Sequence, residues 1–193
     1  MDARLYVLHG FYFATFLLRL FGARGAATAK PTTTEAQAAA PGARLMLVSH
    51  AFAFFLLYFG MGWALGLRRG QTPSWGLGEC LGTALIAAGA LLTLWTLPVF
   101  RSWRLLAHIE SGHELCTEGP FRLVRHPIYA GLVLLALGTL TFLPDVRVLP
   151  GVLLVALVGD LRARTEERVL LQAFGPAYSE YSARVARFVP GVY

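Results

Sequence analysis

The side chains best suited to chemistry lie in two short polar segments that bracket the last two apolar stretches of the chain. The first segment reads Gly-Pro-Phe-Arg-Leu-Val-Arg-His-Pro-Ile-Tyr-Ala-Gly, from Gly119 to Gly131. The second reads Glu-Glu-x7-Gly-x2-Tyr-x2-Tyr, from Glu166 to Tyr181. Together they contain a histidine, two adjacent carboxylates and several phenols in an otherwise apolar chain. We therefore expect the chemistry of the protein to reside in these two segments.

Within the first segment, Arg125-His126-Pro127-x-Tyr129 falls where a polar loop turns into an apolar helix. Pro127 suits the first turn of a helix, so the helix is predicted to begin there. Backbone N–H groups and the positive end of the helix dipole then converge beside a histidine and a tyrosine, an arrangement suited to an anionic or polar ligand group. The alternative is that Arg125 and His126 contact lipid headgroups while Tyr129 joins an interfacial aromatic belt.

Arg162 lies just before the second segment, four residues from Glu166, so the two residues share one face of a helix. They could form an ordinary surface ion pair, which contributes under about 1 kcal/mol. They could also divide two tasks, with Glu166 binding a cationic or hydroxyl-rich cofactor and Arg162 orienting a substrate anion. The spacing alone leaves both interpretations open.

The composition predicts the elements that must position these residues. The chain has 193 residues, 56% of them hydrophobic and only 15% charged, which is far more apolar than a soluble domain. About 20 residues of helix span a bilayer core. We therefore predict an all-α, polytopic integral membrane protein with about five transmembrane helices. The expected apolar stretches are 5–22, 45–67, 81–100, 128–143 and 148–161.

Two functional halves are predicted along the chain. Residues 1–100 would form three transmembrane helices with a flexible loop at 23–44, and residues 101–193 the catalytic half. The catalytic half would comprise a cytoplasmic segment, a helical hairpin at 127–173 and an amphipathic C-terminal segment. No glycine or proline lies between Asp160 and Phe174, so the fifth helix should continue beyond the membrane. Helical spacing in the C-terminal segment is predicted for Tyr178, Tyr181, Val185 and Phe188, and close helix approach for Gly62-x3-Gly66 and Gly78-x3-Gly82.

The basic residues predict the orientation. Five spans place Lys30 and eleven arginines on one face and four arginines on the other, and basic loops favour the cytoplasm. The N-terminus is therefore expected outside, with the C-terminus and both motifs in the cytoplasm. This topology and anionic membrane lipid account for the net charge of +6, so no nucleic-acid partner is needed. A signal peptide over residues 1–29 is an alternative, but four remaining spans would contradict the charge bias.

The remaining cysteines and histidines have mostly structural interpretations. Cys80 and Cys116 would lie on opposite faces as unpaired thiols, without the spacing of metal ligands, so no metal site is predicted. His9 and His50 lie within the first two apolar stretches, where ionisable residues are candidates for function. They could ligate haem or a polar substrate, or each could be a neutral histidine bonded to a neighbouring helix.

The polar motifs taken together resemble the isoprenylcysteine carboxyl methyltransferase family and its phospholipid methyltransferase relatives. The resemblance covers about residues 112–190 and combines His-x-Leu from His113, Gly-Pro-Phe-Arg, Arg-His-Pro-x-Tyr and Glu-Glu-x7-Gly. Arg-His-Pro-x-Tyr alone is also similar to sterol-type reductases. The resemblance implies S-adenosylmethionine as the methyl donor, bound in a cytoplasmic pocket of the C-terminal half. The cofactor-binding residues it implies are His113, Leu115, Cys116, Phe121, His126, Pro127, Ile128, Tyr129 and Glu166.

The resemblance also implies catalytic roles for Arg162, Glu166 and Tyr129 in a direct in-line transfer, in which alignment dominates because the sulfonium is already activated. A carboxylate acceptor could be held by Arg162 without a base, whereas an amine would need Glu166, Glu167 or Tyr129 to take a proton. Phe121 stands where many relatives have tyrosine, so the phenol hydroxyl of those relatives is absent from this chain.

The sequence therefore predicts a membrane methyltransferase with a lipophilic acceptor from the bilayer. A prenylated cysteine carboxylate, a phospholipid amine and another hydrophobic metabolite all remain open as acceptors. The alternative functions are a sterol-type NADPH-dependent reductase and a non-catalytic haem-binding membrane protein.

Overall fold

The computed structural model describes residues 2–24, 43–68, 70, 72–99 and 115–192. These residues form six α-helices and one short 3-10 helix, and they contain no strand, so the predicted all-α class is confirmed within them. Most of the predicted loop at 23–44, together with His113, lies outside the described residues. The helices are α1 Arg4–Arg24, α2 Ala43–Leu67, α3 Leu77–Val99, α4 Pro127–Phe142, α5 Leu149–Phe174 and α6 Pro176–Arg184, and the 3-10 helix is Gly119–Arg122.

The local signals at both motifs set the helix boundaries. Helix α4 begins at Pro127 and α5 runs without interruption to Phe174, as predicted. Helix α5 ends because Gly175 adopts a φ of +51°, a conformation that costs glycine little and other residues more. Pro176 then opens α6, where its missing N–H costs nothing. The carboxylates near the end of α5 are thereby held on a rigid helix beside the start of α4.

Two of the described helices are long and apolar enough to cross a membrane, namely α2 from Leu45 and α3. Helix α4 is a shorter apolar helix. Phe52, Phe55, Phe59 and Trp63 form an exposed stripe along α2, each more than half exposed. Large exposed apolar surfaces mark contact with lipid or with another protein. Membrane character is thus supported, and the arrangement with five spans stays a prediction.

Glycines allow α3 and α4 to pack backbone against backbone. A Cβ added to Gly82 would lie 2.6 Å from the Gly138 carbonyl oxygen, and one added to Gly89 would lie 2.6 Å from the Gly131 carbonyl oxygen. The predicted close approach at Gly82 is therefore confirmed. The prediction for Gly66 is wrong, because a Cβ there would meet nothing within 4 Å among the described residues. Helix α2 packs on α5 instead, using other residues.

Buried hydroxyls tie α1 to the rest of the bundle. His9 Nδ1 lies 2.9 Å from the Tyr58 hydroxyl and His9 Nε2 lies 2.8 Å from Thr139 Oγ1. Tyr12 forms a similar bond of 2.8 Å to Thr93 Oγ1. His9 is thus bonded to neighbouring helices, as one of the two alternatives predicted. Since both ring nitrogens of His9 are engaged, haem ligation by His9 would break one of these two hydrogen bonds.

The close contact between α3 and α4 gives the first testable prediction. Replacement of Gly82 by alanine should destabilise the protein by about 1 to 3 kcal/mol, because the added methyl group meets the α4 backbone and the Phe142 backbone nitrogen. Thermal unfolding in detergent should show a lower midpoint temperature. Gly66→Ala is the matched control and should leave that temperature unchanged or raise it, since alanine favours helix. Equal midpoints for the two variants would contradict the proposed packing.

Candidate functional site

Three polar side chains meet where the start of α4 faces the second half of α5. The Tyr129 hydroxyl donates a hydrogen bond to Glu166 Oε1, and an Arg162 guanidinium nitrogen lies 3.8 Å from the same oxygen. Arg162 also lies over the Tyr129 ring, with its Cζ 5.3 Å from the ring centroid. The structure therefore brings together the three residues for which catalytic roles were predicted. A carboxylate and a guanidinium thus both contact one phenol.

The Tyr129 ring stacks on two imidazoles. Its centroid lies 5.7 Å from that of His126, with the planes 14° apart. It also lies 5.9 Å from that of His50 on α2, with the planes 28° apart. Both histidines are buried. This stack fixes the plane of the Tyr129 ring and extends the site from α4 to α2.

His50 is the member of this site whose position the sequence did not predict. Its two ring nitrogens are buried and have no hydrogen-bond partner among the described residues. A buried polar group without a partner is costly, which points to a ligand or a bound water at this position. The available signal was an ionisable residue inside an apolar segment. That signal could not show which helix His50 faces.

Glu167, the second residue of the Glu-Glu pair, binds different partners from Glu166. Its Oε1 accepts from Arg125 Nε at 3.0 Å and from Arg187 Nε at 3.0 Å, and its Oε2 accepts from Arg187 at 2.7 Å. Arg187 also reaches Asp160 Oδ1 at 3.0 Å. Successive helix residues point in directions about 100° apart, so the two adjacent carboxylates serve different sides of α5. We call Glu167, Arg125 and Arg187 the arginine clamp.

The arginine clamp fastens the C-terminal segment to the loop before α4. The Arg125 N–H donates to the Ala186 carbonyl at 2.8 Å, and the His126 N–H donates to the Arg187 carbonyl at 3.2 Å. Arg125 also donates to the carbonyls of Ser182 and Val185. These bonds correct one prediction, because helical spacing does not extend to Phe188.

Helix α6 ends at Arg184, and Val185 takes an extended conformation. The loop captures the following backbone, so Phe188 reaches His126 with ring centroids 6.1 Å apart. The C-terminal segment therefore packs against His126 at the edge of the site.

The remaining predicted cofactor residues lie between α3 and the start of α4. Cys116 Sγ lies 3.9 Å from the Val99 carbonyl oxygen, and burial raises the pKa of its thiol, which disfavours a reactive thiolate. Phe121 is buried, and its carbonyl oxygen accepts the Tyr181 hydroxyl at 2.8 Å. Its backbone thus supplies an anchor that needs no side-chain hydroxyl. Leu115 and Ile128 are half-buried and Pro127 is buried.

His126 is buried against both carboxylates. Its Nδ1 lies 3.6 Å from Glu166 Oε2 and its Nε2 lies 3.3 Å from Glu167 Oε1, the latter without hydrogen-bond geometry. Burial lowers the pKa of His126, but the adjacent carboxylates of Glu166 and Glu167 outweigh it and raise the pKa above its ordinary 6.5. The pKa of Glu167 is lowered: burial raises it, and His126, Arg187 and Arg125 more than offset that effect.

These shifts predict a pH-dependent stability. Below about pH 6.5 the His126 imidazolium forms in both the folded and the unfolded chain, and its stabilising contribution is complete. The contribution is lost as the pH rises through the raised pKa of the folded state. The midpoint temperature of the wild type should therefore exceed that of His126→Asn most at about pH 6 and least at about pH 9.

Phe52→Leu is the control for that measurement, because it removes an exposed ring of α2 that stacks on Phe55 and no titrating group. Its difference from the wild type should be the same at every pH. A difference for His126→Asn that stays constant or grows with rising pH would show that His126 is neutral in the folded protein.

Comparison with known proteins finds a family model that matches the part of the chain that carries this site. Residues 80–172 match the model of the Isoprenylcysteine carboxyl methyltransferase (ICMT) family. Protein-S-isoprenylcysteine O-methyltransferase B of Arabidopsis thaliana is 36% identical over 120 residues, which are 60% of this chain and 55% of that protein. The Schizosaccharomyces pombe protein-S-isoprenylcysteine O-methyltransferase is 37% identical over 82 residues, 42% of this chain and 35% of that protein.

A relative with a different kind of name is also similar. The cobalt-zinc-cadmium resistance protein CzcN of Cupriavidus metallidurans is 42% identical over 83 residues, 42% of this chain and 38% of that protein. The chain spans about half the length, or less, of the curated relatives it matches. Arg125, Tyr129, Arg162, Glu166 and Glu167 all lie within the residues that match the family model.

Proposed function

We propose that this chain is an integral membrane methyltransferase that uses S-adenosylmethionine and acts on a lipophilic acceptor, because residues 80–172 match the model of the isoprenylcysteine carboxyl methyltransferase family. The observation that carries the proposal is the meeting of Tyr129, Glu166 and Arg162 at one point between α4 and α5. The relatives named as methyltransferases favour methyl transfer over the sterol-type reductase and the haem protein.

The chemistry of this site fits the proposed methyl donor. S-adenosylmethionine supplies an activated methyl group on a sulfonium, and it also carries an ammonium group and ribose hydroxyls. The Glu166 side chain is about a quarter exposed, so its carboxylate can accept hydrogen bonds from such groups beside the buried His126. The residues that would hold the donor are His113, Leu115, Cys116, Phe121, His126, Pro127, Ile128, Tyr129 and Glu166.

The chain's own contribution to the reaction is alignment. Tyr129 is fixed by the Glu166 carboxylate and by the two stacked imidazoles, so one wall of the site is rigid. Holding two reactants in line can lower a barrier by about 7 to 11 kcal/mol. Arg162 would hold an acceptor carboxylate, which needs no base, beside the Tyr129 ring. The buried surroundings would exclude water from the transfer.

The acceptor would enter from α2. His50 reaches the site from α2, which lies before the residues that match the family model. A neutral imidazole can donate one hydrogen bond and accept another, so His50 would complement Arg162 in orienting a carboxylate. The exposed aromatic stripe on the same helix would face lipid, from which a lipophilic acceptor can diffuse.

The topology we propose has five spans, with α1 to α5 crossing the membrane and the N-terminus outside. It is supported by two helices of sufficient length and apolarity and by the bias of basic residues. The site would then lie at the cytoplasmic surface.

The cofactor assignment can be tested by calorimetric binding of S-adenosylhomocysteine to the detergent-purified chain. Glu166→Ala should weaken binding by about tenfold or more, because a hydrogen bond to a charged group contributes about 1.5 to 3 kcal/mol. Glu180→Ala, on the exposed side of α6, is the control and should bind as the wild type does. Equal affinities for Glu166→Ala and the wild type would remove Glu166 from the site, and no binding by a folded wild type would contradict the proposed cofactor.

The acceptor assignment is tested by steady-state kinetics with N-acetyl-S-farnesylcysteine as the carboxylate acceptor and phosphatidylethanolamine as the amine acceptor. His50→Phe keeps an aromatic ring against Tyr129 but removes both nitrogens, so it should raise the KM for the carboxylate acceptor about tenfold. Arg162→Gln should lower kcat/KM for the carboxylate by more than tenfold.

Arg184→Gln serves as the control for charge and should change neither parameter, because Arg184 is exposed at the end of α6. Methylation of the amine lipid instead of the carboxylate would show that Arg162 does not hold a carboxylate acceptor. An unchanged KM in His50→Phe would place the acceptor elsewhere.

A further inference from the structure

A polar cavity lies on the side of α5 opposite the proposed transfer site. It has a volume of about 580 Å³ and opens between α5 and α6. Four guanidinium groups line it, together with Glu167, Tyr178 and two serines of α6. Helix α5 turns about 100° per residue, so the cavity residues of α5 point away from the face of Arg162 and Glu166. The four arginines are Arg125, Arg164, Arg168 and Arg187.

The cavity carries an excess of positive charge. Glu167 neutralises part of it through Arg125 and Arg187, and Asp160 binds Arg164 at 2.6 Å and Arg187 at 3.0 Å. Among the described residues, two carboxylates thus face four guanidiniums, so the lining of the cavity is basic. Arg168 is exposed, and its hydrogen bonds within the described residues go to uncharged oxygens of Thr165 and Arg164. A basic lining of this kind attracts an anion from outside.

A buried hydroxyl also lines this cavity. Tyr178 is only 3% exposed, and among the described residues its hydroxyl has no hydrogen-bond partner of normal geometry. Burial, and then the negative charge of Glu167, raise the pKa of Tyr178 to about 12, so the hydroxyl stays protonated and can donate. Buried polar groups normally have partners, so an unsatisfied donor beside four arginines indicates a missing acceptor.

The position of the cavity along α5 indicates where that acceptor comes from. Residues 149–159 of α5 include no charged side chain, and the first charged residue is Asp160. The cavity begins directly beyond that point, at the depth of lipid headgroups in the orientation proposed above. One guanidinium group can donate two parallel hydrogen bonds to two oxygens of a phosphate.

We propose that the cavity between α5 and α6 binds the phosphate group of an anionic membrane lipid. The arginines supply charge and paired donors, and Tyr178 supplies one further donor from the buried side. This site is separate from the methyl-transfer site, and it rests on the proposed membrane orientation but not on the proposed reaction. A soluble phosphate has the same chemistry, so the test must distinguish the two sources.

The test is native mass spectrometry of the full detergent-purified chain, titrated with phosphatidylglycerol, with phosphatidylcholine of the same acyl chains, or with inorganic phosphate. The wild type should retain phosphatidylglycerol in preference to phosphatidylcholine. The double variant Arg164→Gln/Arg168→Gln should bind phosphatidylglycerol about tenfold or more weakly, since each basic residue near an anionic surface contributes appreciably. Tyr178→Phe should weaken binding severalfold while the ring packing is kept.

Arg122→Gln/Arg184→Gln is the matched control, because it removes the same charge from two exposed arginines that do not line the cavity. It should change phosphatidylglycerol binding less than twofold, and equal losses in the two double variants would overturn the proposal. Tight binding of inorganic phosphate without lipid preference would overturn the lipid source.

Binding of S-adenosylhomocysteine should be the same in all of these variants, which also shows that each is folded. Its loss in Arg164→Gln/Arg168→Gln would place these arginines in the donor site and would likewise overturn the proposal.

Discussion

The ion cluster around Glu167 is the interaction on which the rest of the site depends. Arg125 comes from the loop before α4, Glu167 from α5 and Arg187 from the C-terminal segment, and the side chains of all three are at most 15% exposed. Removing one partner from a buried ion pair typically costs about 3 to 5 kcal/mol, because it leaves a charge buried alone. Three segments distant in sequence are thus held together by one carboxylate. The position of His126, which follows Arg125 directly, is set by the same contacts.

Stacked rings connect His126 to the proposed transfer site. His126 packs on Tyr129, Tyr129 packs on His50, and the Tyr129 hydroxyl is held by Glu166. Two adjacent glutamates therefore have complementary tasks, since Glu167 closes the protein around the site and Glu166 faces into it. A reaction that relies on alignment requires such a rigid wall more than it requires a strong base. The polar network is small, which suits a site built between apolar helices.

The sequence predicted the local features of this protein well, because local signals determine them. Pro127 predicted the start of α4, and the absence of glycine and proline before Gly175 predicted the length of α5. The spacing of Arg162 and Glu166 predicted their shared face. Long-range contacts were not accessible in the same way. His50 lies far from Tyr129 in sequence, and an apolar helix without a polar stripe does not reveal which side faces its neighbours.

The end of the chain shows a competition between local and long-range interactions. Tyr178, Tyr181, Val185 and Phe188 have helical spacing, but α6 stops at Arg184 because the backbone of Ala186 and Arg187 bonds to the loop before α4. Two long-range hydrogen bonds and the Arg187 ion pairs outweigh one more turn of helix, whose formation is nearly neutral in free energy. The glycine pairs show the same limit, since Gly82 and Gly66 look alike in sequence and only Gly82 meets a backbone.

Helix α5, which is 26 residues long, carries two opposite chemical faces in its second half. Its first half is apolar and packs on α2, which brings His50 into the site. Its second half presents Arg162 and Glu166 on one side and Arg164, Glu167 and Arg168 on the other. Because one rigid helix carries both sets, a group bound between α5 and α6 would act on the same element that positions Glu166. Glu167 belongs to both the arginine clamp and the cavity wall, so the two proposed sites share one rigid element.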